Sequence, residues 1–308
     1  MPEKPVIKIG HLPITDHLIL GVTVDKLKTG KEEFQYADIE AKPYRGWNPL
    51  AEDLRKGELD AACILAPLSM ELFGAGVPIK LLLQTHKSGS TLIKNKSANI
   101  QNIGDFKGRS ILIPHYLSVH HLLFDRYMRD NGLEVGAGKD IIFDVVAPSD
   151  IPEILEWDEK GLVGGFIVAE PFGMQVVKAG YGEEMAMSKD LWPDHPCCVL
   201  VMREDVVGKY PDAVQELTNS LVDSGKFVGQ NVDAAAKIGS AFLHQDEDVV
   251  RSVLADPKQR VTMNELLPVV DDFETIQQYM TSKIEAMSGR IDLEKFVDSR
   301  FAKQAGAT

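Results

Sequence analysis

The N-terminal half of the chain alternates short apolar runs with stretches in which apolar residues recur every three or four positions. This is the pattern of strands alternating with helices that builds parallel sheets. A strand is predicted over Val6–Ile9, and the loop Gly10-His-Leu-Pro-Ile-Thr-Asp16 leads into an apolar helix over 17–24 that Asp16 is expected to cap. A second strand is predicted over 37–42, a helix from Pro49 to Lys56 capped by Asn48, a buried strand over 61–65 and another over 80–84. After the hydroxyl-rich stretch Thr85-His-Lys-Ser-Gly-Ser-Thr91 and the apolar pair Leu92-Ile93 come a strand over 110–114 and a helix over 120–130 closed by Asn131-Gly132. A strand over 140–146 follows, then a helix capped by Ser149 or Asp150. Beyond a returning strand at 199–202 the spacing turns helical over 210–221, 246–255 and 271–286, and these helices are expected to clad the first lobe.

The chain also matches itself. Lys56-Gly-Glu-Leu-Asp-Ala-Ala-Cys-Ile-Leu-Ala-Pro67, with the helix running to Ala75-Gly76, aligns without a gap on Lys160-Gly-Leu-Val-Gly-Gly-Phe-Ile-Val-Ala-Glu-Pro171 and the helix to Ala179-Gly180. Both copies read helix, Lys-Gly, strand, Pro, helix, a Met at one shared position, Ala-Gly. Any two α/β units share some of this, but a gapless register predicts two lobes, each with a strand running into a Pro-started helix. Ligands of open α/β sheets bind at such strand ends, where helix N-termini present free N–H groups. Two facing strand ends make a cleft, with Ala66 on one side and Glu170 on the other.

A length of 308 residues is about twice the usual domain size, which agrees with two cores. The net charge of −13, with basic residues scattered, excludes a general nucleic-acid or anionic-lipid binder. A small anionic ligand remains compatible, since a few backbone N–H groups suffice to bind it. No stretch has the length of a transmembrane span, and no direct membrane insertion is expected. The start Met1-Pro-Glu-Lys-Pro-Val-Ile-Lys-Ile9 lacks the apolar region of a secretory signal, so the chain is expected to be cytoplasmic, or periplasmic and cell-envelope with its leader removed. The three cysteines, Cys63 and the neighbours Cys197-Cys198, make a poor disulfide framework; no Cys/His spacing is metal-like, and neither metal nor cofactor is expected.

Four segments, in order, resemble the nitrate/sulfonate/taurine/bicarbonate group of ABC-transporter substrate-binding proteins. They are Trp47-Asn-Pro-Leu-Ala-Glu-Asp-Leu-Arg-Lys-Gly-Glu-Leu-Asp-Ala-Ala62 with Leu65-Ala-Pro67, Ser118-Val-His-His-Leu-Leu123, Gly165-Phe-Ile-Val-Ala-Glu-Pro171 and Leu191-Trp-Pro-Asp-His-Pro196. The resemblance implies a two-lobed type II periplasmic-binding-protein fold, with residues 1–90 plus 203–308 in one lobe, 91–202 in the other, and crossings near 85–92 and 197–203. It also implies a monomer that delivers a small solute to an ABC-type membrane permease. By position in the family's cleft it points to Thr15, Trp47, Ser88, Gly89, Ser90, His120 and Glu170 as solute contacts. Cys197-Cys198 stands where nitrate-type members tend to carry a basic residue, which counts against nitrate itself.

From the residues alone, the loop Tyr116-Leu-Ser-Val-His120 brings a hydroxyl, an imidazole and free N–H groups to one helix start, a place for an acidic group. Tyr116, Ser118 and His120 are therefore candidate contacts. His121 is turned away by about 100° on the same helix. A carboxylate at Glu170 fits a solute with a donor of its own, or else holds the turn by accepting backbone N–H bonds. Trp47 either lies against the solute or fills the core edge. The fold that the resemblance implies also carries a few enzymes, a desulfinase and a pyrimidine synthase among them, so Cys197 and Cys198 raise a second class of function, a small-molecule enzyme, with His195 next in sequence to lower a thiol's pKa. Unreactive buried thiols are the commoner case, so catalysis is not expected. A cytoplasmic ligand-sensing module is the third reading.

Overall fold

The computed structural model describes residues 4–308. The first sheet contains the strands Val6–His11, Asp38–Pro43, Ala61–Leu65, Ile79–Gln84 and Cys198–Arg203, and the second contains Ser90–Asn95, Ser110–Ile113, Ile142–Val145, Val163–Ala169 and Gly182–Met187. In the first sheet Ala61–Leu65 lies centrally, with Val6–His11 parallel on one side and Cys198–Arg203 antiparallel on the other. In the second sheet Val163–Ala169 lies centrally, with Ser110–Ile113 parallel and Ser90–Asn95 antiparallel. The outer strands repeat the correspondence. Asp38–Pro43 is parallel to its neighbour, as is Ile142–Val145, while Ile79–Gln84 and Gly182–Met187 are antiparallel to theirs. The sequence repeat is therefore a repeat of architecture.

Its two central strands are the interiors of the two lobes. All five residues of Ala61–Leu65 are buried, as are the last six of Val163–Ala169. The small residues have a packing reason, since a Cβ on Gly165 would lie 2.1 Å from the Ile93 carbonyl oxygen. Gly57 and Gly161, equivalent in the two copies, both take left-handed conformations, with φ of 78° and 63°. In the first copy Gly57 ends the helix Trp47–Lys56, while in the second the helix ends at Trp157 and Lys160-Gly161 makes the turn beyond it, glycine reaching the left-handed region without a steric cost in both.

The chain passes between the sheets from Gln84 to Ser90 and again from Met187 to Cys198. The second passage comes earlier than the expected boundary at residue 202: Cys198–Arg203 pairs with Leu65–Ala61 and belongs wholly to the first sheet. In the first passage Lys87–Ser88 forms a two-stranded ribbon with Val261–Thr262.

The tail helices Pro211–Gln230 and Val232–Leu243 pack on Leu18–Lys28. Two others reach the second lobe. Tyr279 Oη, on the helix Val270–Ser282, donates to Asp125 Oδ2 at 2.9 Å, and Lys178 Nζ donates to the Asp248 carbonyl at 2.9 Å. The edge strand Gly182–Met187 and the helix Val232–Leu243 have no counterpart in the sequence prediction. Among the described residues no helix is long and apolar enough to cross a membrane.

Two predicted caps are different in the structure. The helix over Leu18–Lys28 has no side-chain cap, because Thr15–His17 forms a separate 3-10 turn and Asp16 points into the protein. Asn48 caps nothing either. The helix begins at Trp47 behind Gly46, and Asn48 Oδ1 accepts from His115 Nε2 at 2.9 Å, a bond from one lobe to the other.

Candidate functional site

The carboxyl ends of the two central strands face each other across the passages between the lobes. Thr15 donates twice to the Glu170 carbonyl, from its backbone N–H at 2.9 Å and its hydroxyl at 2.8 Å. The Glu170 N–H in turn donates to the Gly89 carbonyl, and the Ala66 N–H to the Cys197 carbonyl. One residue of each repeat copy, Ala66 and Glu170, is thus anchored to a different passage.

Inside this junction lies a buried cluster of polar side chains. Ser90 Oγ is 2.8 Å from His120 Nε2, and His120 Nε2 is 4.0 Å from Cys197 Sγ. Asp16 Oδ2 is 3.0 Å from His86 Nε2 and 4.0 Å from each of the thiol sulfurs of Cys197 and Cys198. Asp16, His86, Cys197 and Cys198 are entirely buried, and Ser90 and His120 almost so. Several polar atoms in and beside the cluster have no hydrogen-bond partner: Asp16 Oδ1, His120 Nδ1, Thr91 Oγ1, His195 Nε2, His17 Nε2 and Trp47 Nε1. Trp47 is buried edge-on to His17, with ring centroids 5.9 Å apart. Buried polar atoms left without a partner are costly, and this set gathers at the junction of the two lobes.

Electrostatics divides the cluster. Burial pushes the Asp16 carboxyl up to about 6, against the pull of His86. Burial alone would depress His86, but the adjacent carboxylate and Cys197 outweigh it and hold the imidazolium up to about 10. Asp16 and His86 therefore form an ion pair near neutral pH. Burial lowers His195 to about 4, leaving it neutral, and lowers His17 well below the ordinary range. The two thiols diverge: the hydrogen bond with Cys198 and the charge of His120 draw Cys197 below the usual thiol range, while burial drives Cys198 above it.

Glu170 forms a second centre. Its Oε2 accepts from the Met174 N–H at 2.9 Å, closing the first turn of the helix Phe172–Ala179, and its Oε1 is 3.1 Å from Arg260 Nη1. The same guanidinium meets Glu184 Oε2 at 2.5 Å and Asp256 Oδ2 at 2.6 Å. Burial raises the Glu170 carboxyl to about 7, opposed by the Met174 N–H and Arg260 and reinforced by Glu184. Gly173 permits the approach: a Cβ there would lie 2.0 Å from Thr91 Oγ1 and 3.1 Å from Glu170 Oε2.

Of the residues singled out from the sequence, Thr15, Trp47, Ser88, Gly89, Ser90, His120 and Glu170 are all buried at or beside this junction. Gly89 and Ser88 adopt left-handed conformations, with φ of 88° and 61°, and the Ser88 N–H donates to the His195 carbonyl. Two residues are placed differently. Ser118 caps the helix Val119–Asp130, its Oγ accepting from the His121 N–H and donating to the His115 carbonyl. Tyr116 is half exposed, lies edge-on to His121, and its Oη reaches the Phe143 carbonyl. Sequence reasoning missed Asp16, His86 and Arg260. Asp16 and His86 lie in the loop and the passage it had marked, but only the fold brings them together.

The arrangement is a two-lobed α/β architecture whose paired sheets meet, strand end to strand end, at a buried polar junction. The chain belongs to the NMT1-like family, whose model matches residues 1–241. A nitrate import ATP-binding protein, NrtC, from Synechocystis sp. is 27% identical over 242 residues, 73% of this chain and 35% of that protein. The bicarbonate-binding protein CmpA of Synechococcus elongatus is 26% identical over 285 residues, covering 82% and 61%. The chain thus spans about a third to three fifths of the length of these curated relatives. Among solved structures, the ligand-binding component of an ABC-type import system from Staphylococcus aureus, crystallised with zinc bound, superposes with a TM-score of 0.86 at 25% identity, covering 99% of this chain and all of that one. The fold is the type II periplasmic-binding-protein fold.

Proposed function

We propose that this protein is the solute-capturing component of an ABC-type import system, and that its two lobes close on a small anionic or zwitterionic solute which a membrane permease receives. The observation that carries this reading is the set of unpartnered buried polar atoms at the facing ends of two equivalent sheets. The family membership and the import relatives support it. Capture followed by delivery places the working protein at the cell envelope and requires no turnover.

Within the cleft, His120 is the expected anchor. It is the second residue of the helix Val119–Asp130, so its ring stands beside the unpaired N–H groups of the first turn. Native mass spectrometry of the purified protein should show a co-purified small acid. By calorimetry on that solute, His120→Ala should weaken binding by about 1 to 3 kcal/mol, the cost of one hydrogen bond to a charged group. An uncharged apolar ligand, or normal affinity in the variant, would refute the reading.

Ser118→Ala separates a cap from a contact. With both hydrogen bonds of the hydroxyl used within its own helix start, the variant should lose about 1 kcal/mol of stability, a typical cap value, while solute affinity stays within about twofold. A tenfold loss of affinity with unchanged melting would instead make Ser118 a solute contact.

A further inference from the structure

The geometry points to a site for a thiolate-preferring divalent cation of the zinc class at the floor of the cleft, ligated by Cys197 Sγ, Cys198 Sγ and Asp16 Oδ2. Each of these residues offers one donor atom, and the three atoms lie within 4.8 Å of one another, with both sulfurs 4.0 Å from the carboxylate oxygen. Metal–sulfur bonds of about 2.3 Å and metal–oxygen bonds of about 2.0–2.2 Å, at tetrahedral angles, put donor atoms somewhat under 4 Å apart. For the two sulfur–oxygen pairs, at 4.0 Å, seating the ion asks for a contraction of a few tenths of an ångström, and the two sulfurs, which lie within 4.8 Å, would close to roughly 3.8 Å.

The sequence pointed to no metal because no metal-type Cys/His spacing occurs, and the ligands come together by another route. The two cysteines stand where the second passage enters the first sheet, Cys198 opposite Leu65, and Asp16 reaches them from the loop after the first strand. An independent observation is the state of Asp16. It is fully buried, its Oδ1 has no partner, and Oδ2 faces only His86 and the two sulfurs. Gly89 lies against Oδ1, where a Cβ would stand 3.0 Å away. The carboxylate has one cationic partner, His86, on Oδ2 and none on Oδ1, so a metal ion would complete it.

The donor set chooses the metal. Two sulfurs with one carboxylate suit zinc and its analogues and reject calcium and magnesium, which take oxygen ligands. Three protein ligands leave one tetrahedral position for an exogenous donor. His86, 3.0 Å from Asp16 Oδ2, would orient the ligating carboxylate from outside, as second partners of metal ligands do. On binding, each proton still held by a ligating thiol passes to solvent, and no other bond changes.

The inference goes beyond solute capture and is tested with metal ions alone. Chelator-treated, reduced protein titrated with Co2+ should take up one equivalent and develop thiolate-to-cobalt charge transfer with the visible bands of a four-coordinate site. Zn2+ should displace it and shield Cys197 and Cys198 from alkylation under mild denaturant, leaving Cys63 reactive. Cys198→Ser and Asp16→Asn should each weaken Co2+ binding at least 100-fold, and His86→Gln roughly 10-fold, whereas Cys63→Ser should match the parent. Circular dichroism confirms that each variant is folded, and thiol shielding in the parent protein stands if one is not. One-equivalent binding undisturbed in a folded Cys197→Ser/Cys198→Ser protein, uptake without a thiolate band, or a Cys197–Cys198 disulfide in protein purified without reductant would overturn the assignment. Solute binding by the chelator-treated protein is read separately, so failure of the metal site leaves the capture reading standing.

Discussion

Arg260→Ala should cost about 3 to 5 kcal/mol of stability, the loss expected when one partner of a buried ion pair is removed and the other charges stay behind. Three carboxylates converge on this guanidinium: Glu170, fully buried at the end of the second lobe's central strand; Glu184, on the edge strand of that sheet; and Asp256, from the tail. The Arg260 carbonyl also accepts from the Gly89 N–H, so the residue ties the tail, the first passage and the second sheet together. A chain of this length should melt roughly 5 to 8 °C lower for that loss, using the average unfolding entropy per residue. Adding Glu170→Gln should recover part of it, because the variant then buries one unpaired carboxylate fewer. Additive losses in the double variant would show that the two side chains do not interact.

The fold was legible in the sequence where local pattern and long-range pairing agree. Ala61–Leu65 and Val163–Ala169 are buried on both faces, so they read as continuous apolar runs, and their Lys-Gly entries and Pro-started exits gave the repeat away. Gly182–Met187 was illegible for the opposite reason. Its sequence, Gly-Glu-Glu-Met-Ala-Met, is that of a half-exposed edge strand, held by its pairing with Ser90–Asn95 rather than by its own preference. The end of the second lobe was read late because Cys198–Arg203 has the same apolar character whichever sheet it joins; only pairing with Leu65–Ala61 decides.

The site divides in the same way. Ser90 and His120 were found from short motifs and meet at 2.8 Å. Asp16 was taken for a cap because an Asp before an apolar helix usually is one. Nothing local distinguishes that role from a buried ion pair with His86, 70 positions along the chain. Ser118, expected from the sequence as a solute contact, has its hydroxyl taken up by the helix it starts. Arg260 belongs to no motif; its importance comes from the three carboxylates that the fold delivers to it.

The titration of Glu170 makes the last of these relations measurable through pH. A carboxyl raised from 4.5 to about 7 holds its proton in the folded protein at pH values where the unfolded chain has released it. The folded state then binds more protons than the unfolded one between about pH 4.5 and 7, so stability falls as pH rises through that window and levels off above it. A shift of this size corresponds to about 3 kcal/mol. The groups facing Glu170 account for the net direction. Burial and the Glu184 carboxylate favour the protonated form, the Met174 N–H and Arg260 favour the charged form, and Asp256 weakens Arg260's effect by sharing the guanidinium. Glu170→Gln keeps an oxygen for the Met174 N–H and removes the titration. Its denaturation midpoints should therefore lose roughly this much of the decline seen in the parent between pH 4.5 and 7, and the variant should be at least as stable as the parent at pH 7. If parent and variant instead declined in parallel across that range, Glu170 would be ionised throughout, and Arg260 would outweigh the cost of its burial.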